Sequence, residues 1–403
     1  WLPPGPAGPR RRAPGLRRMR ALPYHSFRRF LAMQTTFRSR IALIAAPALV
    51  SLGLAAPALA QDITLRGAGA SFPAKVYAQW ASHYAQERGT KVQYAAVGST
   101  QGVQQIKAQQ VDFGATDIPL SQQELAEHHL IQFPTLVGGV VPVVNLPGVA
   151  SGRLRLDAHV LAAIFAARID HWNDKAIAAL NPELKLPNLP ITRVVRADGS
   201  GTTQVLLAYL RQAAAADDSA IPLKDGRANW PAGGAIQAVE GSSKMVAAVQ
   251  ATAGALGYVS SDYVVGDGPA AVALRNRRGE WVTPSLASYR AAVRGANLFR
   301  DGLNAPPLVD VDSPMAWPIV SATYIVINSK PAAPERTARA LNFFYRSFLM
   351  GDRAVAGTGF APLPAETQAR VVALLSTVRA PDGKPLPVMG GAEEGAGARL
   401  ALR

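Results

Sequence analysis

From Ile63 onward, short apolar runs that end in small residues alternate with segments whose apolar positions recur every three or four residues. That alternation predicts strands feeding helices, an α/β fold with mainly parallel sheets. ITLRGAGASF reads as a first strand and its exit. PAKVYAQWASHYAQER follows as a helix, with Val76, Tyr77, Trp80 and Tyr84 at helical spacing, Pro73 in its first turn and Gly89 closing it. KVQYAAVGSTQG repeats the pattern ahead of VQQIKAQQ, and VDFGATDIPLS is a short strand that ends at an acid before the polar helix SQQELAEHH. FPTLVGGVVPVVN is almost wholly apolar and predicts a buried strand. Further on come a helix in LDAHVLAAIFAAR, an Asn- and Pro-rich loop, and the strand-to-helix unit ITRVVRADGSGTT. Strands are expected in GALGYVSSDYVV and WPIVSATYIVIN, and an amphipathic helix in PERTARALNFFYRSFLM, opened by Pro334 and Glu335. The chain has no internal repeat.

The first sixty residues follow a different pattern. Residues 1–32 are rich in Pro and Arg without a periodic apolar face, which predicts a disordered upstream segment. From Met33, Arg38 and Arg40 precede IALIAAPALVSLGLAAPALA, which ends in Ala-Leu-Ala at 58–60. A charged start, an apolar stretch and a small-residue cleavage box predict a secretory signal peptide over 33–60, so that the mature chain starts near Gln61. This changes the charge picture. The formal net charge is +15, but ten arginines and no acids lie in residues 1–60, which leaves about +5 for the rest. The basic excess therefore does not call for nucleic acid; a mildly basic exported protein suits an anionic ligand. There is no cysteine, hence no disulfide framework and no thiol for a lipid anchor at the cleavage site, which points to an unanchored periplasmic protein held together by its core. The length suits two lobes.

In open sheets of this kind ligands bind at the carboxyl ends of the strands. Four such ends carry unusual chemistry: Ser71-Phe72, Gly98-Ser99-Thr100, Thr116-Asp117, and Arg196 through Thr202. Three place hydroxyl or glycine residues just ahead of a helix, where unpaired N–H groups and the helix dipole favour an anion. Taken singly, each Ser or Thr is an N-cap and each glycine a turn residue; together, three hydroxyl-rich helix starts, one arginine and one strand-end aspartate form a set with donors in excess. Asp198, two residues after Arg196, either makes an Asx turn or holds the guanidinium. No dinucleotide, nucleotide triphosphate or G-x-S-x-G motif is matched in full. His83, His128, His129, His159 and His171 all lie outside the four loops. The residues supply neither a metal cage nor a catalytic base, so the expectation is a binding protein without metal or cofactor, not an enzyme.

GAGASFPAKVYAQW, YAAVGSTQGVQQI, VDFGATDIPLS, FPTLVGGVVPVVN, WNDKAIAALNP, VVRADGSGTT, GALGYV and WPIVSATYIVI together resemble, in order, the phosphate-binding protein family of bacterial phosphate ABC transporters. The likeness runs from about Ile63 to about Leu386. It implies a two-lobed periplasmic-binding-protein (Venus-flytrap, type II) fold with a hinge, lobe I over 61–140 and 263–387 and lobe II over 141–262; beyond it, the stretch from Val388, MGGAEEGAGARLALR, reads as a flexible, solvated tail over 388–403. It also implies inorganic phosphate as ligand, permease and ATPase subunits as partners, and a monomer before docking. Residue by residue, the resemblance makes Ser71 and Phe72 backbone donors, with the Ser71 hydroxyl as a further donor where the family often has Thr. Ser99 would donate from backbone and side chain, although Thr100-Gln101-Gly102 follows where the family often has Ser-Gly-Gly. Asp117 would be the acceptor for the ligand's proton, Arg196 its charged partner, Asp198 the residue orienting Arg196, and Ser200, Gly201 and Thr202 the rest of the cradle. Alternatives are a receptor of the same fold for another oxyanion, such as sulfate or molybdate, a hydrolase of phosphate esters, and a structural surface protein.

Overall fold

The computed structural model describes residues 63–214, 221–296 and 302–389. The predicted upstream segment (1–32), the signal peptide (33–60) and the predicted tail from residue 390 onward lie outside the described residues.

The chain opens with three strand-to-helix units: β1 (Thr64–Gly69) and α1 (Ala74–Arg88), β2 (Lys91–Ala95) and α2 (Ser99–Lys107), β3 (Phe113–Thr116) and α3 (Gln122–Glu127). The long strand β4 (Leu130–Asn145) follows. Then come β5 (Arg155–Leu156), α4 (Ala158–Phe165), α5 (Lys175–Leu180), β6 (Thr192–Arg196), α6 (Gly201–Ala213), β7 (Leu223–Lys224), β8 (Arg227–Ala228), β9 (Ala235–Val239), α7 (Gly241–Ala251) and β10 (Ala255–Ser260). The return stretch holds β11 (Ala270–Ala271), β12 (Ala273–Arg275), β13 (Trp281–Val282), α8 (Leu286–Gly295), β14 (Leu308–Val309), β15 (Ile319–Asn328), α9 (Pro334–Leu349), β16 (Ala361–Pro362) and α10 (Ala365–Leu375).

The main sheet runs β2-β1-β3-β15-β4-β10-β6-β9. Parallel pairing holds where it was expected, in β2-β1-β3 and in β10-β6-β9. The two sets are joined by antiparallel neighbours, so the sheet as a whole is mixed: β15 runs against β3 and β4, and β10 against β4. Antiparallel neighbours need no helical crossover, which lets β4 carry the chain from one set to the other and β10 run straight back along it.

β4 is buried along nearly its whole length, as its apolar run predicts. The predicted α1 positions Val76, Tyr77, Trp80 and Tyr84 are its buried face, and Gly89 closes the helix in the left-handed conformation. Indole nitrogens anchor loops to this core: Trp80 donates to the Ala354 carbonyl at 2.7 Å, Trp172 to Gly254 at 3.0 Å, and Trp317 to Val140 at 3.0 Å. One predicted boundary moves. Val388 is only 3 % exposed and its carbonyl accepts from Asn342 Nδ2 of α9 at 2.7 Å, so the tail does not begin there; an apolar side chain that fits beside α9 stays with the core.

At the amino end of β1, a cavity of about 640 Å³ is lined in part by Thr64, Arg66, Asp112 and Arg336. Its Asp112 carboxylate is already paired: Arg336 donates to both Asp112 oxygens, at 2.8 and 2.6 Å, and to the Thr64 carbonyl at 2.9 Å. Among the described residues no helix is long and apolar enough to cross a membrane.

Candidate anion-binding site

The opposite, carboxyl ends of five strands meet. β1, β2 and β3 lead into Ser71, Ser99 and Asp117, β6 ends at Arg196, and β9 leads into α7. Ser71, Phe72, Gly98, Ser99, Thr116, Asp117, Arg196 and Gly199 through Thr202 are buried, Thr100 and Asp198 are partly so, and Ala197 is exposed.

Arg196 is the charged centre. Its Nε donates to Asp198 Oδ1 at 2.6 Å and its Nη2 to Asp198 Oδ2, a fork that fixes the guanidinium plane. The Arg196 side chain is 1 % exposed and that of Asp198 11 %. The Arg196 N–H donates to the Tyr258 hydroxyl at 3.2 Å, and that hydroxyl also bonds Thr203 Oγ1 at 2.7 Å.

Asp117 faces this arginine from the other strand set. Thr323 Oγ1 donates to its Oδ1 at 2.8 Å, and Ser321 Oγ to its carbonyl at 3.0 Å. Its Oδ2 is buried with no hydrogen-bond partner among the described residues. Burial pushes the carboxyl up to about 7, while the Thr323 hydroxyl, the Arg196 charge and the Thr202 hydroxyl pull the other way. The register of β15 against β4 slips beside it, with Thr323 opposite Leu136 and Tyr324 opposite Pro134; such a bulge re-aims a side chain.

The hydroxyl residues divide by task. Ser200 caps α6, accepting from the Thr203 N–H at 3.2 Å, so its side chain is engaged and its share of any cradle falls to the backbone. Ser71 and Ser99 cap nothing: Pro73 and Gly98 hold those cap positions. Ser99 Oγ accepts from the Asp117 N–H at 3.3 Å, and Ser71 Oγ lies 2.9 Å from Ser242 Oγ. The Phe72 ring packs edge-on against Phe360, with centroids 5.1 Å apart. Among the described residues, no backbone carbonyl accepts the N–H groups of Ser71, Phe72, Gly201 or Thr202, a concentration of donors in a buried place.

Two glycines let the two sides approach. A Cβ on Gly201 would stand 2.4 Å from Ser99 Oγ and 2.8 Å from Asp117 Oδ2. On Gly98, whose φ is +94°, it would stand 2.6 Å from Asp198 Oδ2. Thr100 donates its N–H to the Gly199 carbonyl at 3.1 Å, and Gln101 points outward to Gln104. The sequence departure at Thr100-Gln101 is thereby absorbed by one cross-side contact and one solvent-facing side chain.

A model of the PBP superfamily domain matches residues 55–347. The chain belongs to the PBP superfamily. Within it, the chain is 38 % identical over 327 residues to the phosphate-binding protein PstS of Pasteurella multocida, spanning 81 % of this chain and 94 % of that one. It is 39 % identical over 308 residues to PstS of Haemophilus influenzae, spanning 76 % and 91 %. Among solved structures, it matches the fold of a phosphate-binding protein from Stenotrophomonas maltophilia with a TM-score of 0.58 at 21 % identity, over 81 % of this chain and 97 % of that one. A high-affinity periplasmic phosphate-binding protein solved with phosphate gives 0.61 at 21 % identity, over 77 % and 93 %. The two-lobed PBP fold expected from the sequence is therefore the one observed.

This PBP site also holds residues that the sequence reading passed over. Gly241 donates its N–H to Asp198 Oδ1 at 3.2 Å, and Ser242 is buried against Ser71. The EGSS stretch, Glu240 as cap and Gly241 to Ser243 as the first turn of α7, is a hydroxyl-rich helix start of the same kind as the other three. Thr323 and Tyr258 lie inside apolar strand runs, where nothing local distinguishes them from core.

Proposed function

We propose that this chain binds inorganic phosphate between two lobes, 61–140 with 263–387 and 141–262, and delivers it to the permease of a phosphate ABC transporter and its ATPase subunits. It does so in the periplasm, after loss of residues 33–60, by closing about the strands that join the lobes. Ser71, Phe72, Ser99, Ser200, Gly201 and Thr202 donate to the phosphate oxygens, and Arg196, oriented by Asp198, supplies the charge.

The observation that carries this reading is Asp117 Oδ2, a buried carboxylate oxygen without a partner beside an arginine and a ring of donors. A buried acceptor left unmatched is costly. Phosphate near neutral pH carries an O–H that this oxygen can accept. Sulfate carries none, and would set two anionic oxygens against each other. Selectivity thus rests on a repulsive contact with the competitor. Relatives at 38–39 % identity named as phosphate-binding proteins support the same ligand.

A thermal-shift panel tests it. Phosphate at a hundredfold excess over its dissociation constant is expected to stabilise the mature chain by about 2.7 kcal/mol. Arsenate, with a comparable proton, should compete, whereas sulfate and molybdate should not. No response to phosphate, once any carried through purification is removed, sinks the reading.

A further inference from the structure

We infer that the start of α7 is a second, cross-cleft element of the site, with Ser242 a positioning residue for the Ser71 hydroxyl; this rests on the phosphate reading above. Two adjacent serines of α7 reach the same short segment that opens α1. Ser242 Oγ, buried, lies 2.9 Å from Ser71 Oγ across 171 positions of chain. Ser243 Oγ lies 2.7 Å from the Tyr263 hydroxyl, and the Lys75 ammonium sits 3.4 Å from the centroid of that tyrosine ring. Lys75 also lies 3.4 Å from Asp262 Oδ2. The base of the helix is tied to the charged centre, because the carboxylate that holds Arg196 also accepts from the Gly241 N–H.

A serine hydroxyl has one proton and two lone pairs. In the Ser71–Ser242 pair only one proton lies between the oxygens. When Ser242 donates, Ser71 is left with its proton free to turn toward an anion, and as an acceptor it is polarised to give that proton more strongly. Without Ser242, the Ser71 hydroxyl must find its own orientation on binding. The outer contact through Ser243, Tyr263 and Lys75 holds the same two helix starts together at the rim, so α7 grips both ends of the Ser71–Lys75 segment.

The test is a double-mutant cycle on Ser71 and Ser242, read as the dissociation constant and off-rate of inorganic phosphate. Ser242→Ala should weaken phosphate about fivefold, the ratio a neutral hydrogen bond is worth, mainly through faster release. Ser242→Thr, which keeps the hydroxyl, should restore the affinity. Adding Ser242→Ala to Ser71→Ala should cost nothing further, since the hydroxyl it positions is gone. Additive losses, or unchanged affinity in Ser242→Ala while the wild type binds phosphate, overturn the inference. Failure of the wild type itself to bind counts instead against the phosphate reading on which it rests. Thermal melting of each variant without ligand separates the effect from plain destabilisation, which would lower the melting temperature without altering the phosphate off-rate.

Discussion

Two forked arginine–aspartate pairs stand in different settings in this molecule. Arg196 with Asp198 and Arg336 with Asp112 both use Nε and Nη2 against two carboxylate oxygens. The Arg336 pair belongs to a closed account of donors and acceptors: the Thr64 carbonyl takes a further proton and the Arg66 N–H satisfies Asp112 at 2.7 Å. Its arginine side chain is 36 % exposed, and the pair staples α9 to the start of β1. The Arg196 pair is almost wholly buried and is surrounded by unpaired N–H groups and a second, half-satisfied carboxylate. Fork geometry alone therefore says little about function. What sets the pair of the proposed site apart is burial together with an imbalance of donors.

The strongest way to break this contrast is to remove Arg196. Arg196→Ala should weaken phosphate on the order of a hundredfold or more, since it deletes the charged donor and leaves the partly buried Asp198 carboxylate with the Gly241 N–H but no opposite charge. Isothermal titration would read this, and Arg196→Lys should recover only part because the fork is lost. A loss no larger than that of Ser71→Ala would contradict the charged role.

Asp117→Asn should act next, on selectivity and on pH dependence together. With its carboxyl pushed up to about 7, the folded protein keeps a proton that the unfolded chain has released above the ordinary carboxylate range. The stability of the unliganded chain should therefore fall as pH rises from about 4 to about 7 and level off above. Asp117→Asn should make that part of the profile shallower in thermal melts, leaving the share of Asp262, which burial pushes up to about 6, and raise stability at pH 8. In the wild type, discrimination against sulfate should weaken below about pH 7, as Asp117 becomes a donor. A sulfate-to-phosphate ratio independent of pH would remove Asp117 from the selectivity argument.

Asp198→Asn should cost about tenfold in phosphate affinity by loosening the guanidinium without deleting it. Smallest for binding, and most telling for the comparison, Arg336→Ala should lower unfolding free energy by about 1–2 kcal/mol in urea titration and leave the phosphate constant unchanged.

Much of this site was legible from local order in the chain. Arg196 and Asp198 are two residues apart at the end of an apolar strand, and Ser71, Ser99 and Asp117 each follow a short run that reads as a strand. The start of α7 escaped because β9, AIQAV, is exposed along almost its entire length, so no buried run marks the strand end that leads into Gly241. Thr323 escaped for another reason: it donates to Asp117 from 206 positions away, beside a register slip between β15 and β4 that has no simple sequence signal. The antiparallel joints between the parallel sets depend likewise on which distant strands become neighbours. Val388 heads the stretch that reads as tail, whereas it is buried and its carbonyl accepts from Asn342 of α9, 46 positions away.

The sixteen residues of β4 pair with β15 through Gly139 and with β10 from Val140 onward. Its two long ladders thus hand over between adjacent residues, while the short strands β16 and β11 pair with it at Leu136–Val137 and Val143–Val144. Mechanically, that makes it a torsion bar. The closure proposed above would twist it at the handover and could not slide one half past the other without tearing rungs from one ladder. On that reading the proposed cleft would have one soft direction, and the hydroxyls and the arginine that meet across it would return to the same register at each closure.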